Sequence, residues 1–315
     1  MTNSETFWFS NLSRREGRNL SSTKSAPNPL DLSHPFEMTN LETNSLIAHT
    51  KVLALIFSGT MSKRIIQDLI PAPLLKRYKK KQYVNILKSH NIDDEPDIKI
   101  AQRLVKPEGT VLDIGANIGL NAKYLSPLAR KVICFEPVPF TFEMLENNLR
   151  LLKLQNVEVY QKAISNKNGI AKIEIPIHAG VYNYYRASLE SQNKKSGATS
   201  VSIKTLTLDS FLDGYSAPVS FVKCDVEGHE LAVLEGASKF LQSNDAPWLI
   251  EISGNPDEKH SSAATVVELM DSVGYFTYHT INAIFTERKT GQHSINYFFL
   301  KEKHVNLIRC NKSLR

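Results

Sequence analysis

A chain of 315 residues with 42% hydrophobic content can bury one sizeable core, and it reads as a soluble globular protein. Its net charge of +6 and pI near 9.0 suit an anionic partner, but the basic residues are spread widely instead of gathered in one dense tract, which argues against nucleic acid. Cys134, Cys224 and Cys310 have neither the paired spacing of a metal site nor the even count of a disulfide framework, so a reducing, cytoplasmic setting is expected.

Residues 1–45 are rich in Ser, Asn, Thr and Pro, with no charged-then-apolar signal pattern, and read as a poorly ordered tail. A helical segment is expected over 46–100. Its apolar patch, "LIAHTKVLALIF" at 46–57, carries Lys51 and is too short to span a bilayer, so it reads as a packing helix and no transmembrane segment is expected. The run "KRYKKK" at 76–81 reads as the solvated face of a helix.

From 101 to 302 short β-branched runs alternate with amphipathic stretches. "TVLDIGA", "KVICFEP", "VEVYQKAIS", "SFVKCDVEG" and "PWLIEIS" have the continuous apolar character of strands buried on both faces of a parallel sheet. Phe142, Leu145, Leu149 and Leu152 fall on one helical face, as do Leu231, Leu234, Ala237 and Leu241. "YFTYHTI", "AIFTER" and "INYFFLK" close the domain as a hairpin that adds an antiparallel strand, and 303–315 is expected to trail off as a C-terminal tail. The fold expected is an α/β doubly wound, mostly parallel seven-stranded sheet.

In such a sheet ligands bind beyond the carboxyl ends of the strands. Candidate residues stand at nearly every one: Asp113, Gly115, Asn117 and Gly119 after the first strand, Glu136 and Pro137 after the second, Ala163 near the third, Asp225, Glu227 and His229 after the fourth, and Glu251 at the fifth. The turn "VLDIGANIGLN" has the spacing G-x-x-x-G behind an acid, where a dinucleotide fingerprint requires G-x-G-x-x-G. An acid beside a phosphate is also costly, about 4 kcal/mol for two like charges roughly 4 Å apart at an effective dielectric of about 20. A cofactor with positive charge and no phosphate fits better, and S-adenosylmethionine carries an ammonium and a sulfonium. Glu136, 23 residues after Asp113, is placed to accept hydrogen bonds from two ribose hydroxyls.

The succession "VLDIGANIGLNAKYLS", "FEPVPFTFEMLENNLRLL", "AISNKNGIAKIEI", "TLTLDSFL", "FVKCDVEGHELAVLEGA" and "PWLIEIS" resembles the FkbM-type methyltransferases over about residues 95–300. The resemblance implies a Rossmann-like class I methyltransferase dependent on S-adenosylmethionine. It also implies O-methylation of a hydroxyl on a sugar, glycolipid or macrolide-type natural product, and it matches Glu95 to an acid ahead of the first strand.

Methyl transfer to an alcohol is largely positioning, with a base to take the acceptor's proton. In "FVKCDVEGHE" Asp225, Glu227 and His229 qualify, and His229 is the preferred base because imidazole titrates near neutral pH. Lys223 shares a strand face with Asp225 and reads as its structural partner. The competing reading for Glu227 and His229 is a helix N-terminus, where acids are favoured electrostatically. A magnesium ion between Asp225 and Glu251 is a minority alternative, as no further carboxylate completes it. The polar stretch 178–200, with Tyr182, Tyr184, Tyr185 and Arg186, reads as a lid over a small-molecule or glycan acceptor. An RNA methyltransferase and a non-catalytic binding protein on the same fold are the rivals, and nothing in the sequence fixes an oligomeric state.

Overall fold

The fold grows outward from β1 (Thr110–Ile114), five residues buried on both faces, in the computed structural model, which describes residues 72–178, 181–182, 188–189, 198–281 and 284–310. The tail expected over 1–45 and the apolar patch at 46–57 lie outside those residues. Ahead of β1 stand α1 (Ala72–Ser89) and α2 (Pro96–Leu104); after it come α3 (Leu120–Leu125), β2 (Lys131–Phe135), α4 (Pro139–Leu151) and β3 (Val157–Tyr160). A second group of strands follows: β4 (Ala163–Ile164), β5 (Gly169–His178), β6 (Val181–Tyr182), β7 (Ser188–Leu189) and β8 (Ala198–Leu206). The chain continues through α5 (Leu208–Leu212), β9 (Val219–Cys224), α6 (Glu230–Glu235), α7 (Ser238–Ser243) and β10 (Trp248–Glu251). It closes with α8 (Ser262–Ser272), β11 (Phe276–Ile281), β12 (Ile284–Glu287), β13 (Asn296–Leu300) and α9 (Glu302–Cys310).

The large sheet has the order β12-β11-β13-β10-β9-β1-β2-β3. Strands β3, β2, β1, β9 and β10 are parallel, and β13 runs antiparallel between β10 and β11. This is the doubly wound, mostly parallel sheet expected, with β12 as an eighth strand on the edge beyond the seven expected. The closing strands do not simply add to an edge: β13 inserts between its neighbours, so Phe298 and Phe299 are buried from both sides.

Alternation along the strands divides the interior into two apolar layers. Leu112, Ile114, Val222 and Trp248 pack toward α5, α6, α7 and α8, while Val111, Phe221, Leu249 and Phe298 pack toward α2, α4 and α9. Helices therefore cover both faces, and each fully buried side chain contributes about 1.5–3 kcal/mol. The C-terminal stretch expected as a tail instead forms α9, because Val305 and Ile308, three residues apart, bury one helical face in the second layer. The lysine run at 76–81 is also less solvated than expected. Lys76 and Lys80 both pair with Glu143 on α4, and Lys79 lies 5.2 Å from the centre of the Phe140 ring.

Two expected elements are broken in the folded chain. "VEVYQKAIS" divides at Gln161, where the Lys162 N–H turns back to the Tyr160 carbonyl (2.9 Å); β3 joins the large sheet and β4 pairs with β8 in a smaller one of order β4-β8-β5-β6, with β7 on β5. The helix expected through Leu231 to Leu241 divides at Gly236. There the Asp209 N–H takes the Gly236 carbonyl (2.9 Å), and the Asp209 carboxylate accepts from Lys239 N and Phe240 N, both at 2.9 Å, to start α7. Most of the expected tyrosine lid lies outside the described residues, apart from the backbone of β6 and β7. Among the described residues, no helix is long and apolar enough to cross a membrane.

Leu112 is fully buried on the central strand. Leu112→Ala is expected to lower unfolding free energy by about 2–5 kcal/mol in urea titrations, whereas Glu143→Gln, which removes the half-exposed carboxylate charge shared by Lys76 and Lys80, is expected to change it by about 1 kcal/mol or less.

Candidate functional site

The chain leaves β1 toward β2 and β3 on one side and later returns to place β9 and β10 on the other, so the crevice between β1 and β9 is the topological switch point. The seam there is tight. The Asp225 N–H donates to the Ile114 carbonyl (2.9 Å), and a Cβ on Gly115 would lie 1.7 Å from the Asp225 carbonyl oxygen. Gly115 also has φ +81°, so any side chain is excluded by both space and backbone. Gly119, at φ +95°, lets α4 approach, with Leu145 and Leu149 against its Cα.

Above this seam opens a cleft lined by both polar and apolar side chains. The structure brings Gly115, Asn117, Glu136, Pro137, Ala163, Asp225, Glu227 and His229 to its walls. Asp113, Gly119 and Glu95 are not part of that lining. Asp113 is fully buried beneath it, and Glu95 pairs with His90 Nε2 at 3.2 Å, whose Nδ1 in turn meets the Tyr124 hydroxyl at 3.0 Å.

Glu136 is held by the turns on either side of it. One carboxylate oxygen accepts from Asn117 N (3.0 Å) and the other from Val138 N (2.9 Å), yet the group is only 6% exposed. Burial pushes its pKa up to about 7, against the two backbone donors that favour the charged form. Asn117 itself sits at φ 48°, and its side-chain Oδ1 and the buried Thr141 Oγ1 have no hydrogen-bond partner among the described residues. Both residues line the cleft, so a ligand with hydroxyl or amine donors would satisfy atoms that otherwise cost about 1–3 kcal/mol each.

Beneath the cleft lies a buried charge cluster. Asp113 faces Lys223 across the β1–β9 register, Asp225 approaches the Lys223 ammonium at 3.8 Å, and Asn296 Oδ1 lies 3.5 Å from it. Burial alone would lower the Lys223 pKa, but Asp225, Glu251 and Asp113 outweigh it and hold the lysine above its ordinary value. One ammonium serves three carboxylates. Burial pushes Asp113 to about 7, with Lys223 and Asn121 opposing, and burial with the Asp225 charge pushes Glu251 to about 7. Among the described residues, no group of three or more His, Cys, Asp or Glu side chains is arranged to hold a metal ion.

The fourth-strand turn is unusual in its backbone. Glu227 has φ 52° and Gly228 φ 93°; a left-handed Glu costs roughly 1–2 kcal/mol, and such strain is found where a side chain must be aimed. His229 occupies the N-cap position of α6 but its side chain makes no capping bond. Instead Nε2 lies 2.9 Å from Ser165 Oγ, and Glu230 takes the Gly228 N–H at 2.9 Å. Burial lowers the His229 pKa, with Glu235 pulling the other way. Ser165, Thr141 and Ile173 are site residues that the sequence does not single out. Thr141 is the exception in having a signal, since it is a polar residue on the apolar face shared with Met144 and Leu145.

The acids at about 7 set a pH dependence. The folded state holds their protons more tightly than the unfolded chain, where Glu and Asp titrate near 4.5 and 3.8, so the stability they contribute is present at low pH and lost as pH rises from about 4 through about 7. Glu136→Gln is expected to flatten that decline, measured as the difference in urea-unfolding free energy between pH 5 and pH 8.

Residues 113–277 match the model of the methyltransferase FkbM domain. The hexuronic acid methyltransferase AglP of Haloferax volcanii is 31% identical over 163 residues, which cover 51% of this chain and 63% of that protein. The methyltransferase sdnD of Sordaria araneosa is 27% identical, covering 41% of this chain and 60% of that one, so this chain spans less than two thirds of either relative. Among solved structures, a methyltransferase FkbM from Methylobacillus flagellatus is similar at 16% identity and a TM-score of 0.40, over 62% of this chain and 44% of that one. With more than half its length under that one domain model, the chain belongs to the FkbM methyltransferase family.

Proposed function

We propose that the protein is an S-adenosylmethionine-dependent O-methyltransferase that acts on a hydroxyl of a sugar, glycolipid or natural-product acceptor. The observation that carries this reading is the acid-rich, phosphate-averse cleft at the switch point, where Glu136, fixed by two backbone N–H groups, lies beside the unpartnered Asn117 Oδ1 and Thr141 Oγ1. A nucleoside with free ribose hydroxyls and a positively charged tail complements that acceptor set, whereas a pyrophosphate would meet Glu136 and Asp225. S-adenosylmethionine, when bound, supplies the activated methyl group.

The residues of the chain divide the remaining work. Gly115 and Asn117 shape the turn against which the cofactor rests, Glu136 accepts from the ribose, and Pro137 and Ala163 provide apolar wall. Asp225, anchored by Lys223, favours a cationic ligand from below. Glu227 and His229 stand on the acceptor side, and the lowered pKa of His229 keeps its ring neutral and able to take a hydroxyl proton at neutral pH. The sugar acceptor is consistent with the relative whose name assigns it hexuronic acid.

Calorimetric titration tests the cofactor. S-adenosylhomocysteine is expected to bind and the oxidised nicotinamide dinucleotide not to; Glu136→Ala is expected to weaken the former roughly 10- to 100-fold, as loss of a hydrogen bond to a charged group does, while His229→Ala leaves it unchanged. Transfer of labelled methyl to a panel of hydroxylated sugars and uronic acids is expected to be lost in His229→Ala. Binding of the dinucleotide in place of the homocysteine, or unaltered affinity in Glu136→Ala, would overturn the reading.

A further inference from the structure

His229 is held by a residue far away in sequence. Ser165 Oγ lies 2.9 Å from His229 Nε2, across 64 positions of chain. The serine is itself fixed on several sides: its N–H donates to the Leu206 carbonyl (2.9 Å), its carbonyl packs on Gly236 where a Cβ would come within 2.0 Å, and its side chain is 5% exposed. The next residue, Asn166, donates from Nδ2 to Glu235 Oε2 at 2.8 Å. Ser165 and Asn166 thus clamp both ends of α6, His229 at its start and Glu235 at its last residue.

A neutral imidazole has one N–H and one lone pair, so the partner of one nitrogen decides what the other can do. His229 lines the cleft, and among the described residues its Nδ1 has no hydrogen-bond partner. We propose that Ser165 is a positioning residue that accepts the His229 Nε2–H and thereby leaves the Nδ1 lone pair as the atom that takes the acceptor's proton. This rests on the reading of His229 as the base. In that step the acceptor O–H bond breaks, its electron pair stays on oxygen as the attacking pair, and the proton becomes Nδ1–H of an imidazolium whose Nε2–H still rests on Ser165; the proton then leaves to solvent. The converse arrangement, in which the serine hydroxyl donates to Nε2, would use up the lone pair and make His229 a hydrogen-bond donor incapable of acting as base.

Two-bond proton–nitrogen NMR correlation of the imidazole rings reads the tautomer without any acceptor or cofactor. The full chain is labelled with nitrogen-15 histidine, and His229 is assigned by the signal lost in His229→Gln. At a pH where the ring is neutral, the wild type is expected to show Nε2 protonated and Nδ1 bare. Ser165→Ala is expected to shift both nitrogens toward averaged values as the two tautomers mix, and Asn166→Ala, which keeps the hydroxyl, is expected to leave the pattern intact. A wild-type ring protonated on Nδ1, a Ser165→Ala spectrum unchanged from wild type, or an Asn166→Ala spectrum that shifts like Ser165→Ala would overturn the proposal. Because S-adenosylhomocysteine affinity is measured separately, failure of the cofactor reading and failure of the Ser165 assignment give different results.

Discussion

The contact between Gly115 and the Asp225 carbonyl is the constraint on which the site depends. The first-strand turn and the end of the fourth strand meet here with no room for one extra carbon, and the Asp225 N–H closes the seam on the Ile114 carbonyl. This closeness fixes where Asn117 and Glu227 leave the sheet, both in left-handed conformations, and so sets the opposite lips of the cleft. A turn that tight is stable because both strands are buried along their length and cannot slide: shifting β1 by one residue would carry Asp113 into the apolar layer of Leu112 and Ile114.

Placing Asp113 and Lys223 opposite each other creates the second feature, a charge cluster inside the sheet. Buried ion pairs rarely stabilise a fold relative to apolar residues of the same size, because desolvation offsets the Coulomb gain. With three carboxylates around a single ammonium the balance is tilted further toward retained protons. The cluster therefore makes more sense as a pH-dependent field under the cleft than as a source of stability, turning negative as the retained protons leave above about pH 7. A cationic ligand would draw on that field, and the Asn117 and Thr141 oxygens, unpaired among the described residues, are free for further polar contacts.

The small sheet supplies the other wall. Its apolar face, with Ile173, Ile175 and Ile203, packs on Val138 just past Glu136, and Ile173 reaches the cleft. The break between α6 and α7 serves the same wall, since a continuous helix would need the Gly236 carbonyl that Asp209 takes. A residue larger than glycine at 236 would also push Ser165 away from His229.

The sequence by itself determined the doubly wound sheet, because strands buried on both faces and amphipathic helices carry their burial in their periodicity. It likewise singled out Asn117, Glu136, Asp225, Glu227 and His229, since strand ends are legible wherever an apolar run stops at a polar residue. Tertiary structure alone decided what touches what. That Glu136 takes the Asn117 N–H, that Lys223 faces Asp113 across the sheet, and that His229 meets Ser165 depend on segments distant in sequence or on strands whose register no local pattern encodes. The splits at Gln161 and Gly236 and the helix at Glu302–Cys310 belong to the same class, for each is set by a partner that arrives from elsewhere in the chain and takes a backbone group or covers an apolar face.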